Sequence, residues 1–308
     1  MDASSLPLVR WRLAQLASHL VIALIALVVI GGATRVMEAG LACPDWPLCY
    51  GSFLPGRQMN IQVFLEWFHR LDAFLIGIAF LLQFVVSLIF KSKLTKKIIW
   101  IYGILLFLVA LQGVIGGLTV IKLLPSLVVT AHLLLALTLV VLMSVVSQEL
   151  LQQNPSQSPK WWNFFTITSL FLVIGQCLIG GRMATTWSSQ HCLIQGQNCQ
   201  LLDLHMLFAL PVSLFLLIFV VISFVSKGWP RTQWPFLSLI FFLVTIQVSL
   251  GITSVHFELS KPFLTVAHQL VAALLVAVLA ALSSRRPESS ESILSTSFDK
   301  SFLEACHG

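Results

Sequence analysis

Apolar stretches of about 20 residues recur from one end of this chain to the other, each long enough to cross a hydrocarbon core of roughly 30 Å. No other feature limits the fold as tightly. Spans are read near residues 13–33, 68–90, 98–120, 124–146, 163–182, 201–225, 234–252 and 262–282. Only 10% of the 308 residues are charged and 57% are hydrophobic, whereas a soluble domain carries roughly 25% charged residues. Unpaired backbone groups are too costly in lipid to leave exposed, so segments of this kind must be helices. The fold class predicted is an all-α integral membrane protein with eight transmembrane helices. The first span is too long for a removable signal peptide and lacks a small-residue cleavage site. Residues 285–308 are rich in Ser and charge and read as a flexible tail.

The net charge of +6 does not indicate nucleic acid, because the basic residues are sorted by loop. Arg10, Arg12, Lys91, Lys93, Lys96, Lys97, Lys160, Lys227, Arg231, Arg285 and Arg286 fall on one side. Arg35, Arg57, Arg70, Lys122, Arg182 and Lys261 fall on the other. The positive-inside rule then places both termini in the cytoplasm. Cys43 and Cys49 lie between spans 1 and 2, and Cys192 and Cys199 between spans 5 and 6, both on the predicted outer side. In an oxidising compartment each pair is read as a small disulfide loop, with redox-active thiols or a metal clip as alternatives. Cys177 and Cys306 are read as unpaired.

The chain repeats itself. Gln112, Gly116, Lys122, Pro125 and Ala131-His132 recur in order as Gln247, Gly251, Lys261, Pro262 and Ala267-His268. Gly31-Gly32 with Arg35 matches Gly180-Gly181 with Arg182. His69 and His132 are 63 positions apart, as are His205 and His268. Residues 1–150 and 151–284 therefore read as two tandem four-helix repeats. An even number of helices per repeat predicts a pseudo-two-fold axis along the membrane normal. All four histidines fall in the first turns of helices descending from the outer face, roughly 2 to 13 Å below it.

A histidine in an apolar helix must hydrogen-bond, titrate or ligate. One alone would read as a helix-to-helix hydrogen bond, but four at matched depth point to ligation. Zinc or copper would require three or four converging donors, whereas two imidazoles per half suit the two faces of a haem iron. Gly31, Gly32, Gly116, Gly117, Gly180, Gly181 and Gly251 cluster near the outer ends of the odd helices, where a flat ring could approach the backbone. Close helix packing is the alternative. Arg35, Arg182, Lys122 and Lys261 lie at the same level as candidate partners for propionates, or as charges reaching for water. His19, His191 and His256 have no repeat partner and are read as structural or solvent-facing.

The halves differ at one place. Glu66 stands three residues before His69 and on the same helix face, where the second half has Leu202. The first cysteine loop is proline-rich, with Asp45 and Trp46, while the second is rich in Gln. A carboxylate there is suited to moving protons or stabilising positive charge on a substrate, and an ion pair with Arg70 is compatible with either role. The first half is read as the reactive one.

With Gly40-Leu41-Ala42-Cys43-Pro44-Asp45-Trp46-Pro47-Leu48-Cys49, Glu66-Trp67-Phe68-His69-Arg70 and the later histidines in order, residues 10–282 resemble the haem A synthase family of cytochrome oxidase assembly. The resemblance implies an oxidoreductase that converts the C8 methyl of haem O to a formyl group by successive hydroxylations, giving haem A. It implies that His69 and His132 flank haem O or haem A, that His205 and His268 ligate an electron-passing haem b, and that Glu66 is the essential carboxylate. It makes Cys43 and Cys49 the family's outer-loop pair, and a chain without a transit-like leader resembles the bacterial form. The partners implied are haem O, an electron donor the sequence does not identify, haem O synthase and cytochrome oxidase assembly factors, with a homo-oligomer compatible. A non-catalytic di-haem b electron carrier and a proton-coupled transporter remain as alternative readings.

Overall fold

The computed structural model describes residues 8–152, 157–185 and 199–286. His191, Cys192, Cys306 and the remainder of the tail lie outside the described residues. Eight long helices follow one another: α1 (Leu8–Val36), α2 (Ile61–Ile89), α3 (Lys96–Ile121), α4 (Ser126–Leu151), α5 (Lys160–Thr185), α6 (Gln200–Val225), α7 (Trp234–His256) and α8 (Pro262–Ser284). All eight are long and apolar enough to cross a membrane, so the chain is an all-α, multi-pass membrane protein.

The helices overrun the predicted spans, most consequentially at α2. Hydropathy places the start of this span near residue 68, but the helix begins at Ile61. Asn60 caps it, its side chain accepting from the backbone N–H groups of Gln62 and Val63 at 3.0 and 2.9 Å. Apolarity marks the lipid-facing stretch, whereas the cap sets where the helix starts. Glu66 and Trp67 therefore sit on the helix and not in the loop before it.

In the first half α1 packs on α2, α2 on α3, α3 on α4, and α4 closes back on α1. In the second half α5, α6, α7 and α8 make the corresponding four contacts. The seam consists of α1 on α8, α4 on α5 and α4 on α8. At the N-terminal end of α1, polar groups tie α1 to α4 and α4 to α8 by satisfying helix-terminal carbonyls. Arg10 donates to the carbonyls of Leu150, Glu149 and Gln152 at 2.7–2.8 Å, and the Gln152 side chain donates to Ser284 O at 2.7 Å. Ser18 and Ser147 hydrogen-bond at 2.8 Å between α1 and α4, a polar contact of the kind that adds to van der Waals packing between membrane helices.

The C-terminal ends of α1, α3 and α7 share one turn. The N–H groups of Ala39, Leu124 and Leu259 donate to the carbonyls of Thr34, Thr119 and Ser254, five residues back, at 2.6, 2.7 and 2.9 Å. This is the Schellman closure of a helix C-terminus. It holds Glu38, Leu123, Leu124, Glu258 and Leu259 at positive φ without glycine.

Candidate functional site

A cavity of about 2040 Å³ runs across both halves, and His69, His132, His205 and His268 all line it. That is about twice the upper volume of an ordinary single-ligand pocket, roughly 1,000 Å³. Helix starts set the depth. The four histidines follow Ile61, Ser126, Gln200 and Pro262 by five to eight residues, which puts them roughly 7 to 12 Å along their helices.

Each imidazole rests on a glycine of the preceding odd helix. A Cβ built on Gly31 would meet His69 Cε1 at 2.9 Å, on Gly116 His132 Cε1 at 3.1 Å, on Gly180 His205 Cε1 at 2.9 Å and on Gly251 His268 Cε1 at 3.2 Å. The sequence reading left two uses open for these glycines, a flat ring approaching the backbone and close helix packing, and the structure adds a particular one. They admit the imidazoles, and so set where a ligand between the rings must lie. The neighbouring glycines receive other side chains: Gly32 takes Gln269, Gly117 takes the Trp46 indole and Gly181 takes Leu133. Sequence spacing could not reveal which group fills each gap, because that depends on the rotation of the partner helix.

Glutamines four residues before three of these glycines reach the same histidines. Gln112 Nε2 lies 3.2 Å from His132 O and 3.4 Å from His132 Nε2. Gln176 donates to His205 O at 2.6 Å, and Gln247 Nε2 lies 3.1 Å from His268 Nε2. His268 Nδ1 faces Gln247 O at 3.1 Å, so Gln247 partners both nitrogens of that ring. Gln112 and Gln247 were visible as repeat landmarks, but Gln176 was missed. Its offset from Gly180, the same as in the other two, was the available signal.

The donor set fits haem. The Nδ1 atoms of His69, His132 and His205 are buried without a hydrogen-bond partner, a costly arrangement that invites a ligand. The His205 and His268 rings have centroids 6.3 Å apart. An iron bonded to two imidazole nitrogens at about 2 Å each calls for roughly that separation. Among the described residues no three or more His, Cys, Asp or Glu side chains converge as a metal cluster.

The first half carries a built cap. Cys43 and Cys49 form a disulfide with Cα atoms 4.8 Å apart, within the ordinary range. Glu66 is buried. It accepts from Cys43 N at 2.7 Å with one oxygen and pairs with Arg70 at 2.5 Å through the other. Arg70 also donates to Asp45 O and Leu48 O at 2.6 Å each. Asp45 accepts from the N–H groups of Tyr50 and Gly51 at 2.6 and 2.7 Å. Chiefly through Gly51, with Tyr50 and the nearby Arg70 assisting, its carboxyl is held below the usual carboxylate range. The Trp46 indole, preceding a cis bond to Pro47, lies on Gly117 of α3. The loop thus spans the mouth from α2 to α3, and Trp46, Pro47, Leu48 and Cys49 line the cavity beneath it.

Of the candidate propionate partners, Arg35 lines the cavity and reaches Gly181 O across the seam at 3.5 Å. Arg182 is half-buried in the last turn of α5. Lys122 and Lys261 do not line the cavity. They are exposed at helix ends as the C-cap of α3 and the N-cap of α8, where water solvates the ammonium. Arg70 stands at the cavity wall in their place. His19 is exposed and bonded to Gln15 O of its own helix, and His256 is exposed beside Phe257. Cys177 is a free, half-buried thiol on the cavity wall.

The sequence model of the COX15-CtaA family, described as cytochrome oxidase assembly protein, matches residues 14–280. The chain belongs to that family. Among its relatives, proteins named Heme A synthase are 28% identical over 191 residues in Shewanella oneidensis and 29% over 194 residues in Caulobacter. These matches cover 54% and 52% of this chain, and 54% and 56% of the relatives. A Heme A synthase of Bradyrhizobium diazoefficiens is 29% identical over 221 residues, 58% of this chain and 60% of the relative. The chain thus spans about half the length of the curated relatives it matches. Family membership covers all eight helices, from the first turns of α1 almost to the end of α8.

Proposed function

We propose that this family member is a haem A synthase, oxidising the C8 methyl of haem O to a formyl group by successive hydroxylations. The observation carrying the proposal is four histidines on matched glycine cradles in one cavity, with a buried carboxylate and a disulfide cap in one half. On this reading residues 1–150 bind the substrate between His69 and His132, and residues 151–284 hold haem b between His205 and His268. A haem b held by His205 and His268 would supply one-electron transfer toward the first half. Cradle by cradle the halves correspond as two copies of one repeat, which supports a pseudo-two-fold along the membrane normal. The distribution of Lys and Arg supports cytoplasmic termini and an outer-leaflet site.

The protein's own part is positioning and electrostatics. Gly31 and Gly116 set how far each imidazole withdraws into its helix, and so fix the slot between them. Arg70 and Cys43 N–H hold the two oxygens of Glu66, so its carboxylate faces the cavity without rotating away. Negative charge fixed there stabilises positive charge developing at the substrate edge, or accepts a proton released from it. Trp46 and the disulfide loop keep bulk water from that edge, which strengthens the interaction. Arg35 stands where it can pair with a propionate.

The near-equivalence of the cradles favours one rival, a di-haem b electron carrier. Mass spectrometry of haem extracted from purified protein separates the two. A synthase yields haem O or haem A beside haem b, and Glu66→Gln stalls conversion while leaving haem bound. Extracts holding haem b alone, or normal haem A output from Glu66→Gln, would overturn the proposal.

A further inference from the structure

The four cradles share a pattern that one of them breaks. Gly116, Gly180 and Gly251 are each preceded four residues earlier by a glutamine, Gln112, Gln176 and Gln247, whose amide reaches the histidine resting on that glycine. Gly31 is preceded by Leu27. Otherwise α1 follows the same plan. Thr34 donates to Gly31 O at 2.7 Å as Thr119 donates to Gly116 O at 2.7 Å, and the Schellman closures of α1, α3 and α7 match. The replaced glutamine is therefore a local departure within an otherwise repeated helix. His69 Nδ1 is buried without a partner, and Leu27, which lines the cavity, offers it no polar atom.

We infer that His69 is the detachable imidazole of the four, and that Leu27 makes it so. In the other three cradles an amide ties the odd helix to the even helix at the ligand itself, at the imidazole, at its backbone carbonyl, or at both. The nearest polar ties of α2 lie elsewhere, at Glu66 and Arg70, and bind the disulfide loop. The His69 cradle alone has no amide tie of either kind, and its ring is held by shape, between Gly31 and whatever occupies the slot. A cradle without the tie opens more easily than one closed by a directed hydrogen bond, whose ordinary net strength corresponds to about a tenfold change in the detachment equilibrium. The slot then has a fixed side, on α4 at His132, and an openable side facing α1 and α2. Glu66 lies on the openable side, while the Trp46 indole rests on Gly117, beside the His132 cradle. Leu27 is a positioning residue here, and Gln112, Gln176 and Gln247 are its opposites.

This inference rests on the haem reading above, and carbon monoxide binding to the reduced, haem-loaded protein tests the two separately. CO takes an iron position only where an imidazole has left. The expected result is that one of the two haems binds CO, and that His132→Ala and Leu27→Gln change that binding in opposite directions. Leu27→Gln should weaken it about tenfold, one hydrogen bond's worth. Gln247→Leu provides the converse, giving the second haem a CO reactivity it lacks in the parent protein, and stands even if Leu27→Gln fails to accumulate. Two CO-inert haems, or CO binding indifferent to both Leu27→Gln and Gln247→Leu, would overturn the inference while leaving the haem reading intact. A protein without haem would overturn the reading itself.

Discussion

Gly180→Ala is a small substitution with a large expected effect. Alanine is the better helix former by up to about 1 kcal/mol, so in open helix the change would stabilise. Here the new methyl carbon would lie 2.9 Å from His205 Cε1, against 3.4–4 Å for ordinary contact, so the ring must retreat by at least about 0.5 Å, the tolerance of a well-held site. Overpacking of this kind costs about 1–3 kcal/mol, more than the propensity gain. Because the ring is displaced toward the slot, the cost falls on the ligand. Affinity at the second-half site should drop roughly 5- to 150-fold. The b-type absorbance of purified protein and its loss to a haem scavenger measure this directly. Gly175→Ala, one turn away with nothing within 4 Å of the added carbon, is the control and should bind haem normally with equal or higher thermal stability. The steric gradation adds a second check, since Gly251→Ala at 3.2 Å should be milder than Gly180→Ala. Unchanged haem retention in Gly180→Ala, or equal losses in Gly175→Ala and Gly180→Ala, would refute the cradle argument.

Trp46→Ala removes the indole lying on Gly117 and should open the first-half mouth. Exchange of the first-half haem should quicken while the second-half haem is unaffected, as read by isotope-labelled haem uptake. The Asp45 carboxyl is held below its usual range by backbone N–H groups, so its contribution to the loop is complete above the usual carboxylate range and is lost as pH falls through the lowered value. Hydrogen exchange at Tyr50 and Gly51 should therefore rise in acid, and Asp45→Asn should show that faster exchange already at neutral pH.

The sequence showed all eight spans because lipid leaves so few options for a backbone, and it showed the four histidines because polarity is so rare within them. Its limits were geometric. The start of α2 was read too late because an asparagine cap, and not hydropathy, defines it. The glycines were visible, yet their occupants were not, since a gap in one helix says nothing about which neighbour turns a side chain into it. Arg70 was legible as a partner for Glu66, one turn away. Its bonds to the carbonyls of Asp45 and Leu48 depend on the path of a loop and could not be read from spacing. Lys122 and Lys261 recur in the same order in the two halves and so resembled site residues, but one is the C-cap of α3 and the other the N-cap of α8, which order along the chain does not reveal.

The claim on which the rest depends is that the cavity binds two haems, one per histidine pair. Haem-to-protein stoichiometry in the purified protein, measured before and after replacing His205 and His268 together, tests it most directly. The account requires two haems per chain, falling to one that is haem O or haem A. A colourless protein, or loss of both haems together from a variant that still folds, would contradict it.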